Sequence, residues 1–554
     1  MARELRSENQ QYAGLAIRRT RAWQHGWLDL AAGTLGVLAL GLRLLVATGA
    51  PLVGDEAYYR LWSQQLDWAY YDHPAGVALL LRLSAAIGGE GLVGLRWLNL
   101  ALGLACVALV YVLGRRWFGR QAALFSAAIV AVGAPYLLVS GLVYTDTLHL
   151  ALLLLNLWCF SLWVNDGVPA PPGSRAPLAW GLTLALLFNT KYSAYLYAAG
   201  LGAAILLDYH WLLRERRFWL AVALAATGLL PVIGWNAVHG WASFRWQLTH
   251  LVSASPGSDA LRLLTPFRNL WHALGYLTWP VVLAAFLPEL WWWIKNFNRK
   301  SRESSPVFSG FTLIRAIRGL FSKKTQQTTT ALAATLARRL LRILAAALLL
   351  PVIFSPANSP RNWIGGLTLL LLLSGATLPR GRGHAAGAHG RRAAQLAVAL
   401  TLLYGAGTAA AFWDVNSAPA STAAREVTFE GAGMPTLGAL LADYPAPLFA
   451  LDYQLAGQIA YHTGRPAFSA WGQYRVWGLP AFEEATVISL GYLPEACVTP
   501  QLVATFDTVS GPDRLTLDET AGKTLHVWRV AGPGMSRDQL AARLDFLTLW
   551  EQCR

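Results

Sequence analysis

The chain has 554 residues, of which 55% are hydrophobic and only 14% charged, with a formal charge of +15. A mean hydropathy of +0.39 excludes an ordinary soluble protein of this size. The positive charge does not read as a nucleic-acid surface, because the Lys and Arg residues cluster between apolar stretches and not along one soluble face.

In chain order, residues 1–27 form a basic N-terminus with Arg18, Arg19 and Arg21, followed by a first apolar run from Leu28 to Ala47. That run is long and is followed by many others, so it reads as a retained anchor and not a cleaved signal. Counting stretches of ~20 apolar residues gives about eleven candidate spans within 28–412. Tryptophans such as Trp23, Trp27 and Trp291 to Trp293 bracket these runs, where amphipathic rings suit the headgroup layer.

Basic clusters recur at Arg115, Arg116 and Arg120, at Arg214, Arg216 and Arg217, and across Lys295–Arg342 and Arg380–Arg392. Alternating spans from a cytoplasmic N-terminus put every cluster inside. The outward segments are then the loop 50–91, the turn Tyr144 to Asp146, the Lys191 turn, Asn236 to Arg268, Ser355 to Arg361, and everything after Asp414. The cytoplasmic stretch 294–342 is predicted to be a solvated linker with an interfacial helix at Phe311 to Phe321. In 413–554, Pro447 to Leu451, Ala485 to Leu490 and Thr524 to Val530 read as strands, and Gln454 to Thr463 and Ser536 to Trp550 as helices. The sequence therefore predicts a polytopic α-helical membrane protein with a small C-terminal extracytoplasmic α/β domain. Cys106 and Cys159 sit in apolar runs, whereas Cys497 and Cys553 fall in the polar region, where an oxidising compartment would allow them to pair.

The first outward loop holds Gly54-Asp55-Glu56-Ala57-Tyr58-Tyr59 and Tyr70-Tyr71-Asp72-His73-Pro74, with apolar spacing that suits helices on a membrane surface. A carboxylate such as Asp55, a few residues beyond a span, is placed to act as general base on a lipid-borne substrate. The same Asp before Glu-Ala-Tyr-Tyr is also a good helix N-cap, and spacing alone favours the cap. Asp72 and His73 fit a helix start before Pro74, and a lone Asp-His pair fixes too few ligands to specify a metal. Arg43, near the outer end of the first span, reads either as a snorkelling cation or as a partner for a phosphate or a loop carboxylate. Asp146 and Lys191 lie on the same side as Asp55, and together these carboxylates and cations suit transfer from a phosphate-activated lipid. No P-loop or Gly-rich strand-to-helix turn is present.

The series Asp55-Glu56-Ala57-Tyr58-Tyr59, Tyr71-Asp72-His73-Pro74, Tyr144-Thr145-Asp146 and Thr190-Lys191-Tyr192 resembles the bacterial dolichyl-phosphate-mannose-protein mannosyltransferase-like glycosyltransferases, which include the lipid A aminoarabinose transferases. Trp235-Asn236, His239, Trp241, Ser243, Phe244 and Gln247, then Asn362-Trp363, Tyr453-Gln454-Leu455-Ala456, Gln473-Tyr474 and Trp477 extend the resemblance into the C-terminal region. The resemblance implies a GT-C membrane fold and inverting transfer of a sugar from a polyprenyl-phosphate donor to a glycolipid, lipopolysaccharide or protein acceptor outside the cytoplasmic membrane. It implies Asp55 as catalytic base with Glu56 beside it, and a substrate site that includes Arg43, Tyr58, Tyr59, Asp72, His73, Asp146 and Lys191, the last near the donor phosphate. No cofactor is required by these motifs, and a divalent metal is left open. Ala75 and Thr145 depart from the pattern, standing where family members commonly carry proline. A lipid or polysaccharide transporter is the alternative reading, set against it by charges at the outer interface and the lack of an internal repeat.

Overall fold

The computed structural model describes residues 33–164, 170–252, 265–276, 279–287, 329–354, 360–376, 385–411, 430–480, 482–491, 493–519 and 521–532, with the single positions 30, 290 and 427. The expected linker helix at Phe311 to Phe321, the helix at Ser536 to Trp550, and Cys553 lie outside the described residues.

The chain opens with α1 (Gly33–Gly49) and α2 (Gly54–Gln64), which meet at a bend of 85°. Pro51 lies between them, and a proline there cannot donate the N–H a continuing helix needs. The elements α3 (Gly76–Gly88), α4 (Leu92–Phe118), α5 (Arg120–Val132), α6 (Ala134–Gly141) and α7 (Thr145–Val164) follow. Pro135 at the start of α6 accompanies a second bend, of 57°, between α5 and α6. Next come α8 (Ala176–Phe188), α9 (Ser193–Asp208), α10 (Arg216–Thr227), α11 (Leu230–Val238) and α12 (Ala242–Val252). The helical part closes with α13 (Thr265–Tyr276), α14 (Thr329–Phe354), α15 (Ile364–Ala376) and α16 (Ala385–Ala410).

Among the described residues, three stretches are long and apolar enough to cross a membrane: Leu92–Phe118, Thr145–Val164 and Arg216–Val238. Counting each bent pair as one span gives up to five. Their side chains form one apolar core with α14 and α15, including Leu153, Leu157, Phe160, Leu341, Leu344 and Leu371. A helix apolar on all sides is the form expected where one face meets neighbours and the other lipid.

The C-terminal region carries β1 (Leu448–Ala450), β2 (Ala467–Phe468), β3 (Glu484–Leu490), β4 (Thr508–Asp518) and β5 (Lys523–Ala531) in the order β2-β1-β3-β5-β4. Strand β1 runs parallel to β2 and β3, whereas β5 runs antiparallel to β3 and β4, with Val487 opposite Trp528. Three of these strands and the helix α17 (Tyr453–Thr463) match the sequence expectation. Strands β2 and β4 and the helix Glu495–Val503 were not expected. The first is two residues long, and β4 contains Gly511 and Pro512 with a register shift between Ser510 and Asp513, which together hide its alternation.

Alternation of side chains along the strands divides the sheet into two faces. Phe449, Ala485, Val487, Trp528 and Val530 build an outer core with Val498 and Leu502. Leu448, Ala450, Ile488, Leu525 and Val527 join Leu455, Ile459, Tyr58, Trp62 and Val77 in a second core, so the sheet and α17 are packed onto α2 and α3. That contact brings the C-terminal region to Asp55. Cys497 is disulfide-bonded, and Cys106 and Cys159 are free and buried.

Candidate active site

The site begins at the first turn of α2. Its N-cap is Val53, so Asp55 is not the cap that the sequence favoured. Glu56 takes that role instead: its Oε2 accepts the Val53 N–H at 3.2 Å. Arg96, fully buried on α4, reaches Glu56 Oε1 through Nε at 2.8 Å and Oε2 through Nη2, while the Val143 N–H donates to Oε1 at 2.8 Å. Four N–H groups therefore occupy the Glu56 carboxylate, the group expected beside the catalytic base. It is an anchor, and the same Arg96 holds the carbonyls of Ala47, Ala50 and Pro51 across the bend before α2.

Asp55, one residue earlier, points a different way. Its Oδ2 accepts from Arg361 Nη1 at 2.9 Å. Its Oδ1 accepts from Gln454 Nε2 at 2.8 Å and from the Tyr453 hydroxyl at 3.4 Å. Close approach of α17 depends on Gly54, where a Cβ would lie 2.5 Å from that of Gln454. Beside it, Glu430 accepts the Gly54 N–H, and burial followed by the charge of Asp55 pushes its carboxyl up to about 7.

A second group surrounds Asp72. The Tyr58 hydroxyl donates to Asp72 Oδ2 at 2.8 Å and accepts the Gln473 N–H at 2.5 Å, so this tyrosine links α2, the 70–75 loop and the C-terminal region. Burial raises the Asp72 carboxyl to about 7, partly offset by the Tyr58 hydrogen bond and reinforced by Asp55. Helix α12 covers the same loop, where Gln247 Nε2 donates to the Asp72 carbonyl at 2.8 Å. The expected helix start at Asp72 and His73 is not found; α3 begins at Gly76 after the N-cap Ala75. The His73 imidazole is pushed down to about 3 by burial and then by Lys191, and its Nδ1 has no hydrogen-bond partner among the described residues. Tyr59 is buried between, with its ring centroid 4.9 Å from Trp62 and 6.1 Å from His73.

The third group joins two helix ends. Lys191, in the turn between α8 and α9, donates to Asp146 Oδ1 on the first turn of α7 at 2.7 Å. His149, one turn along α7, meets Thr190 Oγ1 at 2.9 Å and Ser193 Oγ at 3.1 Å, which fixes the turn that carries Lys191. Arg361 closes the arrangement, its guanidinium stacked 4.2 Å from the centroid of Tyr144, two residues before Asp146. Arg361 touches both Asp55 and Tyr144, and Lys191 holds Asp146, so these separate segments meet in one place.

Arg43 does not join them. It is buried, and its guanidinium donates to the carbonyls of Ala39 at 3.1 Å, Val130 at 3.1 Å and Ala131 at 2.7 Å. Those last two are the unpaired carbonyls at the C-terminal end of α5, where a cation is favoured. Arg43, expected at the substrate, here caps the end of α5. Conversely, Arg361, Gln454 and Glu430 were not expected in the site. A lone cation in a segment expected outside was the available signal for Arg361, as it had been for Lys191; Gln454 stood in the Tyr453-Gln454-Leu455-Ala456 resemblance, and Glu430 carried no signal. No group of three His, Cys, Asp or Glu side chains suited to a metal occurs among the described residues.

Residues 72–235, which contain Asp72, His73, Asp146 and Lys191, match the family described as dolichyl-phosphate-mannose-protein mannosyltransferase. The lipid A galacturonosyltransferase RgtD of Rhizobium johnstonii is 27% identical over 237 residues, 42% of this chain. Residues 72–235 of the chain are thus similar to this mannosyltransferase family. The match spans about half the length of that curated relative, 48%. The chain is also similar in fold to ArnT from Cupriavidus metallidurans, with a TM-score of 0.55 and 15% identity in the apo state, covering 91% of this chain and 98% of ArnT. The form of ArnT bound to undecaprenyl phosphate gives a TM-score of 0.54 and 16% identity over the same shares. Low identity with near-complete coverage means that the fold is shared far more widely than its side chains.

Proposed function

We propose that this chain is a membrane glycosyltransferase that moves a sugar from a polyprenyl-phosphate donor, with inversion, to an acceptor hydroxyl outside the cytoplasmic membrane. The observation that carries it is the meeting of Asp55 with Arg361, Lys191 and Asp146 at one end of the helical part. A polyprenyl phosphate is already a good leaving group, so the reaction needs a base and anion stabilisation more than a strong acid. Asp55 accepts the acceptor's proton as its oxygen bonds to the anomeric carbon; the carbon–oxygen bond to phosphate breaks on the opposite face, and the phosphate leaves with the electron pair. Lys191 lies nearest the leaving phosphate, with Asp146 fixing its ammonium, and Tyr58, Tyr59, Asp72 and His73 shape the sugar and acceptor side.

The bound ArnT and the lipid A galacturonosyltransferase support a polyprenyl-phosphate donor and a glycolipid acceptor, with lipopolysaccharide and protein as the other acceptor classes. This reading includes a bacterial inner-membrane location, about eleven spans from a cytoplasmic N-terminus, a catalytic membrane part over 28–412, and an extracytoplasmic domain over 413–554. Membrane lipids are its surroundings, nucleic acid is not a partner, and the mechanism uses no cofactor. In membranes supplied with a polyprenyl-phosphate sugar, Asp55→Asn is expected to abolish transfer while leaving expression intact. Unaltered turnover would sink the base assignment.

A further inference from the structure

Asp55 is the proposed base, yet both of its oxygens are engaged, and the strongest of the partners is a cation. Arg361 Nη1 lies 2.9 Å from Oδ2, and the Arg361 side chain keeps 26% of its surface exposed against 9% for Asp55. While Oδ2 accepts from Arg361, that lone pair is not open to an acceptor hydroxyl, so the pair as it stands opposes the chemistry. The stack on Tyr144 engages the guanidinium plane and leaves its edge for hydrogen bonding, so the head group is able to turn in that plane. Lys191 and Asp146 lie within the same electrostatic neighbourhood, which is where the reading above puts the leaving phosphate.

We propose that Arg361 serves two anions in turn, the Asp55 carboxylate before transfer and the donor phosphate as transfer proceeds. This rests on the polyprenyl-phosphate reading. The charge balance of the reaction supplies the reason for movement. The donor is a phosphodiester with one negative charge, and the polyprenyl phosphate that leaves is a monoester carrying about −1.5 to −2. Over the same step Asp55 takes the acceptor's proton and becomes neutral. Negative charge therefore disappears from one end of Arg361's reach and appears at the other, and a planar fork suited to both carboxylate and phosphate follows it. Moving the guanidinium frees the Asp55 oxygen and stabilises the leaving group together, so Arg361 is a positioning residue for the base and a ligand of the phosphate.

The test is a binding cycle on the full-length protein in detergent or nanodiscs, with undecaprenyl phosphate as the probe and tryptophan fluorescence as the readout. Asp55→Asn mimics the protonated base and should tighten undecaprenyl phosphate binding by roughly fivefold or more, the usual range for coupled sites. Arg361→Gln should weaken it, and adding Asp55→Asn to Arg361→Gln should restore none of the loss. An equal gain in both backgrounds would mean general charge relief and would overturn the proposal, as would no gain in the first. Should Arg361→Gln not fold, Arg361→Lys supplies the background: a point charge without the planar fork predicts a reduced gain, and an undiminished gain overturns the proposal. Absence of binding by the unmodified protein would overturn the donor reading and this inference with it, whereas binding insensitive to Asp55→Asn overturns this inference alone.

Discussion

Asp55 and Glu56 are neighbours with opposite surroundings. A helix turns its successive side chains by about 100°, so Glu56 faces Arg96 and the bend while Asp55 faces Arg361 and Gln454. A single Arg96–Glu56 pair with side-chain exposures of 0% and 2% tolerates no loss of one partner, since the other would be left as an uncompensated buried charge. Asp72 shows the same sensitivity through pH. Its folded carboxyl sits near 7 against 3.8 for the ordinary group, so between those values the folded protein keeps a proton that the unfolded chain has lost. Its contribution to stability is thus complete below about pH 4 and lost as pH rises through about 7. Melting temperatures of the purified protein should fall across that window less steeply in Asp72→Asn than in the unaltered chain. Parallel slopes would show that Asp72 is not the group responsible.

At the scale of elements, the site is a junction of three helix starts or turns with one helix of the C-terminal region. Tyr58 on α2 is the tie between them, and Gly472 is what lets the Gln473 N–H reach it. Gly472 has φ +64°, and a Cβ there would lie 2.5 Å from the Tyr58 hydroxyl oxygen. Gly464, at the end of α17, has φ +66° but nothing within 4 Å of a Cβ. Replacing either by Ala incurs the left-handed penalty of roughly 1–2 kcal/mol, and only Gly472→Ala adds the collision. Thermal melts should therefore rank Gly472→Ala as the more damaging, with the larger fall in transfer activity. Equal melting temperatures would mean that the Tyr58 contact yields without cost.

For the whole molecule, the decisive relation is that the sheet and α17 pack on α2 and α3, at the end of the helical part where Asp55, Asp146, Lys191 and Arg361 gather. Catalysis outside the membrane requires that end, and with it residues 430–532, to lie on the extracytoplasmic side. A phosphatase that folds only in an oxidising compartment, fused after Arg554, should be active in intact cells, and a disulfide at Cys497 is consistent with that compartment. An inactive fusion accompanied by full-length expression would invert the proposed topology.

The apolar runs, three strands and α17 were legible because each depends on a local pattern: ~20 apolar residues for a span, alternation for a strand, 3.6-residue periodicity for a helix. So were Asp55, Asp146 and Lys191, since charge beside an apolar run is conspicuous along one dimension. The tertiary structure alone decided which charges meet and which are consumed as scaffold. Arg361 lies 306 residues from Asp55 and Gln454 lies 399 away, distances over which no sequence pattern encodes contact. Arg43 and Lys191 look alike as isolated cations near span ends, and only packing places one against the carbonyls of α5 and the other against Asp146. Desolvation makes such pairings obligatory for a buried charge, but the fold selects the partner.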